Sequence, residues 1–282
     1  MKRILITGAN SYIGTSVEKW LGKYPEAYKV NTLDMENELW RNKDFSGYDV
    51  VFHVAGIAHI RETKKNKDLY YKVNRDLTYE TAVKAKAEGV KQFIFLSSMS
   101  VYGIETGIIN KDTPLNPKSN YGKSKLEAEE LINKLADDRF IIAIIRPPMV
   151  YGRDCKGNYP RLAKLALKIP VFPRVDNKRS MIYIDNLSEF VKQLIDNCSS
   201  GLFFPQNAEY VNTSELVYLI AEVHGKEIKM TKLFNLFIRL LNVGTVNKIF
   251  GDLVYEINIS DYLSDYRVYD FKKSIKKTEA GN

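Results

Sequence analysis

Short apolar runs alternate with amphipathic stretches along the first two-thirds of the chain. The runs "RILIT" (3–7), "YKVNTL" (28–33), "DVVFHVA" (49–55), "QFIFLSS" (92–98) and "FIIAIIR" (140–146) are rich in Val, Ile and Phe. Their near-continuous apolar character predicts strands covered on both faces. Between them, helical patterns run over about 12–23, 67–88 and 121–136. This alternation predicts an α/β chain built on a Rossmann-type, doubly wound parallel sheet. Beyond Arg146 the pattern loosens into loops and further helices, as expected of a smaller α+β lobe that holds a substrate. The expected division is 1–155 for the sheet domain, with 180–200 returning to it, and 156–282 mainly for the lobe. Within the lobe, 229–250 reads as an apolar helix with basic punctuation. It packs into the lobe or gives weak association with a membrane surface.

Composition narrows the class. A chain of 282 residues with 45% hydrophobic and 27% charged residues has the balance of a soluble globular protein. No run of about 18 apolar residues predicts a membrane span, and the N-terminus leads straight into a strand pattern without a signal-peptide cleavage site. Cys155 and Cys198 stand 43 residues apart without metal-ligand spacing, which predicts a reducing cytoplasm and no metal site. The net charge of +8 raises the question of a polyanionic partner. The lysines are scattered, as in "KKNKD", "KAKAEGVK" and "FKKSIKK", with no arginine cluster or aromatic platform. They read as solvated helix faces and a general attraction for an anionic substrate, not as a nucleic-acid surface.

"ILITGANSYIG" places Gly8 and Gly14 directly after the first strand and at the start of a helix. Such a turn lets backbone N–H groups and a helix N-terminus approach a pyrophosphate. Ser11 stands where the middle glycine of the usual fingerprint would be, so the backbone approach is less open. The second strand ends in Asp34, 20 residues after Gly14, where a carboxylate can accept from both adenine-ribose hydroxyls and repels a 2′-phosphate. The frame predicts a dinucleotide cofactor, NAD, with NADP left open by nearby Arg41 and Lys43.

"NYGKSKLEAEELINKL" starts a helix carrying Tyr121 and Lys125 one turn apart on one face. An ammonium beside a phenol favours its ionised form and brings it closer to neutrality, where it can take or return a proton at a sugar oxygen. Tyr-x-x-x-Lys alone is weak: Tyr269 and Lys273 match it in the tail, where no glycine turn or hydroxyl-bearing strand precedes them. What sets Tyr121 apart is order. The glycine turn comes first, "SSMSVYG" follows at the end of a strand, and Tyr121 lies 23 residues after Ser98.

In that order, "TGANSYIG", "VFHVAG", "VN" at 73–74, "SSMSVYG", "YGKSK", "RPPMVYG" and "RSMIYIDNL" resemble an extended short-chain dehydrogenase/reductase of the nucleotide-sugar epimerase/dehydratase family, from Met1 to about Leu187. The resemblance implies that Ser98 holds the reacting sugar oxygen, Tyr121 is the acid/base and Lys125 its partner, also reaching the nicotinamide ribose. It implies that Gly8, Ser11, Tyr12, Ile13 and Gly14 cradle the pyrophosphate, that Ala55, Gly56 and Pro148 line the cofactor channel, and that Asn74 supports the site beside the nicotinamide. Arg179 would clamp the substrate diphosphate through its planar fork, with Asn158 nearby. The implied partners are a UDP-linked sugar and a second copy of the chain, paired through 67–88 and 121–136.

Departures from the family pattern sort the reactions. Met99 and Ser100 occupy the positions where dehydratases carry Asp and Glu, so the elimination of water lacks its acid and base. Only 14 residues separate Asp34 from Asp49, so the usual third strand is reduced or missing. Met149 takes a place where 4-epimerases often carry Asn, which leaves part of the diphosphate contact open. "RPPMVYG…KGN…KRSMIYIDNL" is closer to bacterial 4-keto-reductases of UDP-linked 6-deoxy-N-acetylhexosamines. The expected activity is reduction of such a 4-keto sugar for surface polysaccharide. A UDP-glucose or UDP-GlcNAc 4-epimerase with tightly held NAD is the alternative, and a non-catalytic NAD(P)-binding regulator the reading of another class.

Overall fold

A computed structural model describes residues 1–58, 60, 62–233, 235 and 249–280. The strands are β1 (Lys2–Thr7), β2 (Tyr28–Leu33), β3 (Val50–His53), β4 (Gln92–Leu96), β5 (Gly107–Ile109), β6 (Ile141–Ile145), β7 (Met149–Tyr151), β8 (Val171–Pro173), β9 (Met181–Tyr183), β10 (Gly201–Phe203), β11 (Lys229–Thr231) and β12 (Leu253–Tyr255). The helices are α1 (Tyr12–Leu21), α2 (Lys67–Tyr71), α3 (Leu77–Ala87), α4 (Asn120–Asn133), α5 (Asn158–Lys168), α6 (Ile184–Asp196), α7 (Thr213–Val223) and α8 (Phe271–Glu279).

Two compact units share the chain. The first holds Met1–Gly103, Pro114–Pro147 and Leu187–Pro205. Its six-stranded sheet runs in the order β10-β6-β4-β3-β1-β2, with every neighbouring pair parallel. The register aligns Thr7 with Leu33 and His53, His53 with Phe95, and Leu96 with Ile145. All carboxyl ends therefore finish on one rim. Strand order reverses at β1, which has β2 on one side and β3 on the other. The crevice above that switch point is where open α/β sheets bind ligands. Leu5, Val51, Phe93 and Ile144 on the sheet pack with Ala85 and Ile132 from the helices in a fully buried core.

Three sequence expectations change. β2, expected to be covered on both faces, is an edge strand among the described residues, with half its residues exposed; the stretch between Asp34 and Asp49 holds a 3₁₀ turn, Glu38–Asn42, and no strand, in keeping with the short spacing. The helix expected over 67–88 is interrupted by a π turn at Lys72–Asp76, where the buried Asn74 side chain turns to backbone outside the helix. The helix expected over 229–250 begins as a strand, since β11 pairs with β8. Positions 234 and 236–248 of that segment lie outside the described residues.

The second unit holds Ile104–Thr113, Pro148–Asn186 and Gln206–Asn282. Three parallel two-stranded pairs, β5·β12, β7·β9 and β8·β11, supply its strands. Tyr151, fully buried, bonds Ser274 at 2.5 Å and accepts from Asn207 at 2.9 Å, pinning α8 to the strands. No helix among the described residues is long and apolar enough to cross a membrane.

His53 at the end of β3 is fully buried, and burial pushes its pKa down to about 3. Thr78 donates its hydroxyl to the Asn74 carbonyl at 2.8 Å, so it accepts from His53 Nε2 at 3.0 Å, leaving Nδ1 to accept from Thr7 at 2.7 Å. An unfolded chain protonates His53 below about 6.5, whereas the folded one resists down to about 3. Stability therefore falls as pH drops through that window. Melting temperatures from pH 4 to 6.5 should show this slope, and His53→Gln should flatten it; an equal slope in both would place the acid sensitivity elsewhere.

Candidate active site

Each cofactor candidate in the first unit sits on or just behind the rim of carboxyl ends. Gly8 follows β1 with φ +102°, and a Cβ there would fall 2.8 Å from the Ala55 nitrogen. Only glycine allows that turn and that approach of the two loops. Ser11 is the N-cap of α1, and its hydroxyl accepts from Gly14 N–H at 3.2 Å. The residue replacing the middle glycine thus occupies one of the donors of the helix start. Tyr12 and Ile13 form the first turn of α1. Asp34, one residue past β2, is exposed and accepts from Glu36 N–H at 2.8 Å. The turn cradle and the carboxylate fit a dinucleotide.

Past β3, the Asn74 carboxamide holds Ile57 from both sides, accepting from its N–H at 2.8 Å and donating to its carbonyl at 3.1 Å. It also donates to Ser124 on α4 at 3.2 Å. A side chain at Gly56 would meet Asn74 Oδ1 at 2.9 Å and Lys125 Nζ at 3.3 Å. Ala55, Gly56, Asn74 and Lys125 are therefore one cluster.

Ser98 lies two residues past β4 with extended backbone and caps a 3₁₀ turn, Met99–Tyr102. Its oxygen accepts from Ser100 N–H at 3.1 Å, and its hydroxyl lies 3.0 Å from that of Ser100. Ser119 caps α4 through Gly122 N–H at 3.0 Å, placing Tyr121 in the helix's first turn. There the Tyr121 phenol comes close enough to Ser98 for that hydroxyl to lower its pKa, so residues 23 apart in sequence meet.

The electrostatics differ from the expected tyrosinate. Burial raises the Tyr121 pKa; the Ser98 hydroxyl opposes the rise and the Tyr70 phenol adds to it. Burial also pushes Lys125 down to about 7, against the carboxylate of Glu129. The ammonium donates to the Leu96 carbonyl at 2.8 Å and lies 4.6 Å above the Phe95 ring. Burial is the first cause of both shifts, and neither group figures among the causes acting on the other.

The remaining candidates belong to the second unit. Pro148 is buried next to β7, and Met149 opens that strand, paired with Met181. Asn158 is the exposed first residue of α5. Arg179 exchanges backbone bonds with Val211, and its guanidinium donates to the Gly251 carbonyl at 2.9 Å; burial lowers its pKa while Asp252 opposes this.

Two features escaped the sequence reading. Glu62 accepts from Tyr121 N–H at 3.0 Å and from Asn120 at 3.2 Å; it sits in a loop without periodicity, so nothing signalled it. A buried Glu129–Arg146 pair stands behind the serines. Its signal was present, since Glu129 is one turn past Lys125 and Arg146 opens "RPPMVYG".

The model of the NAD dependent epimerase/dehydratase family matches residues 4–203. A UDP-glucose 4-epimerase of Vibrio cholerae is 32% identical over 246 residues, 78% of this chain and 75% of that protein. An N-acetyl-alpha-D-glucosaminyl-diphospho-ditrans,octacis-undecaprenol 4-epimerase of Escherichia coli O157:H7 is 31% identical over 242 residues, 78% of this chain and 71% of its own. Among solved structures, UDP-glucuronic acid 4-epimerase from Bacillus cereus in complex with NAD superposes with a TM-score of 0.75 at 21% identity, covering 98% of this chain and 96% of that one. That last likeness concerns the fold.

Proposed function

The chain belongs to the NAD-dependent epimerase/dehydratase family, and from that premise we propose that it performs redox chemistry at C4 of a UDP-linked sugar, namely the reduction of a UDP-4-keto-6-deoxy-N-acetylhexosamine for surface polysaccharide. The observation that carries the reading is the Ser98–Tyr121 hydroxyl pair with Met99 and Ser100 beside it. Two hydroxyls can hold and protonate one sugar oxygen. Met99 and Ser100 stand where a dehydratase of this family carries its acid and base, and neither side chain can serve elimination of water in that role.

Gly8, Ser11, Tyr12, Ile13, Gly14, Asp34, Ala55, Gly56 and Asn74 would hold NAD, with Lys125 reaching its ribose. When bound, the nicotinamide supplies or accepts the hydride at C4. Tyr121, kept protonated by burial, gives its proton to the C4 oxygen. Ser98 hydrogen-bonds that oxygen, and the Lys125 ammonium stabilises the phenolate left behind. The exposed Asp34 carboxylate repels a 2′-phosphate and favours NAD over NADP. Arg179 and Asn158 are the candidates for the nucleotide diphosphate.

The sheet edge at β2 supports a reductase. With only a 3₁₀ turn beyond Asp34, the adenine end of the site has fewer walls, which suits a cofactor exchanged at every turnover. The second reading, a 4-epimerase with retained NAD, is favoured by the relatives that carry that activity in their names. The reading extends to a cytoplasmic homodimer: Tyr79 and Val83 stand one turn apart on α3, 37% and 39% exposed.

The purified chain is incubated with UDP-glucose and UDP-GlcNAc without added cofactor, and separately with a UDP-4-keto-6-deoxy-N-acetylhexosamine and NAD(P)H. Consumption of NAD(P)H without epimerisation is the expected result. Conversion to the galacto sugars would establish the epimerase instead, and inertness toward all three would favour the non-catalytic regulator.

A further inference from the structure

Behind the serines lies a pair of opposite charges that the proposed reaction does not use. Glu129 and Arg146 are 3% and 5% exposed. Arg146 Nε donates to the two carboxylate oxygens at 3.1 and 3.2 Å, and a second nitrogen reaches Oε2 at 2.5 Å. The same carboxylate accepts the Ser97 hydroxyl, and Arg146 donates to the Tyr102 hydroxyl at 2.9 Å. Burying such a pair is a poor route to stability, because apolar residues of equal volume do as well or better. Its placement suggests another use. It touches the residue before Ser98, the last residue of the turn that Ser98 caps, and α4 one turn beyond Lys125.

We propose that Glu129, anchored by Arg146, is a positioning residue that keeps Lys125 charged and fixes the Ser98 turn against the helix bearing Tyr121. The inference rests on the reading of Lys125 as the partner of Tyr121.

The surroundings of Lys125 leave this task to Glu129. Burial works against the ammonium and takes it to about 7, so its charge is lost as pH rises through neutrality; the Glu129 carboxylate opposes that loss. From β3, His53 faces Lys125 as a neutral ring, since its own pKa is about 3. From β4 come the Phe95 ring and the Leu96 carbonyl, and from the π turn the Asn74 carboxamide, all uncharged. Tyr121 on the same helix stays protonated, its pKa raised by burial, and the Tyr102 phenol is also raised by burial. Arg146, at the end of β6, is a cation whose charge is engaged by Glu129.

Glu129→Gln alone strands a buried guanidinium and endangers folding. The test therefore uses Glu129→Gln with Arg146→Met, and, should that chain not fold, Glu129→Gln with Arg146→Gln, which keeps polar contacts. Chains labelled with 13C-lysine are titrated by NMR from pH 5 to 10, the Lys125 resonance being the one missing in Lys125→Met. The expected result is a folded double variant whose Lys125 midpoint lies about one unit lower, a tenfold weaker hold on the proton. The alkaline limb of kcat/KM then moves by the same amount. A folded double variant with an unmoved midpoint would overturn the proposal and reduce the pair to packing. No substrate enters the titration, so a shifted midpoint in a chain without redox activity would refute the proposed function and leave this inference standing.

Discussion

Tyr121→Phe is expected to lower kcat by about 10²- to 10⁴-fold, the range a positioned general acid supplies. The substitution removes one oxygen and keeps the ring at the start of α4. The melting temperature should therefore hold, and the loss should appear in turnover rather than in folding. Ser98→Ala is the milder partner. One positioned hydrogen bond to the reacting oxygen contributes on the order of 1–3 kcal/mol, a loss of several-fold to a few hundred-fold. The order of the two effects follows from the proposed roles, in which Tyr121 moves a proton and Ser98 orients the group that receives it. Stopped-flow measurement of NAD(P)H oxidation with the 4-keto sugar separates them. Unchanged turnover in Tyr121→Phe would remove the residue from the chemistry and with it the proposed reaction.

What sequence made visible and what it hid follow from how local each feature is. β1, β3, β4 and β6 announce themselves because strands buried on both faces must be apolar throughout, and helices between them force parallel order. Gly8 was legible as a turn because its positive φ calls for glycine, and the position of Asp34 was legible from the strand end it follows. Their meeting with Ser98 on one rim followed once the strands were parallel and in register.

Less was legible where a side chain acts on distant backbone. The π turn at 72–76 exists because Asn74 leaves its helix to hold Ile57, and periodicity within 67–88 has no term for that. β5 and its pairing with β12, which carry 104–113 into the second unit, join segments nearly 150 positions apart. Signs of pKa shifts were the least accessible. Spacing puts Lys125 one turn from Tyr121, but burial of both decides which way each moves.

Gly122→Ala tests whether the site depends on that packing. By helix propensity alone the change should help, since alanine is favoured over glycine by about 1 kcal/mol inside a helix. The contact argues the other way. A Cβ at 122 would lie 2.6 Å from the Ser100 carbonyl oxygen and 3.1 Å from Pro117 Cβ. The nearer atom is backbone of the turn that Ser98 caps, so the turn or the start of α4 must give way. Either motion moves Ser98 away from Tyr121, and a misplacement near 1 Å costs about 10²-fold in rate. The expected variant is folded and about 10²-fold slower in kcat. If the loss runs through Ser98, the double variant Ser98→Ala/Gly122→Ala is no slower than the worse of the two singles, because contacting residues are not additive. Multiplying losses would mean that Gly122 acts through Tyr121 alone, and full activity in Gly122→Ala would mean that the turn yields without moving Ser98.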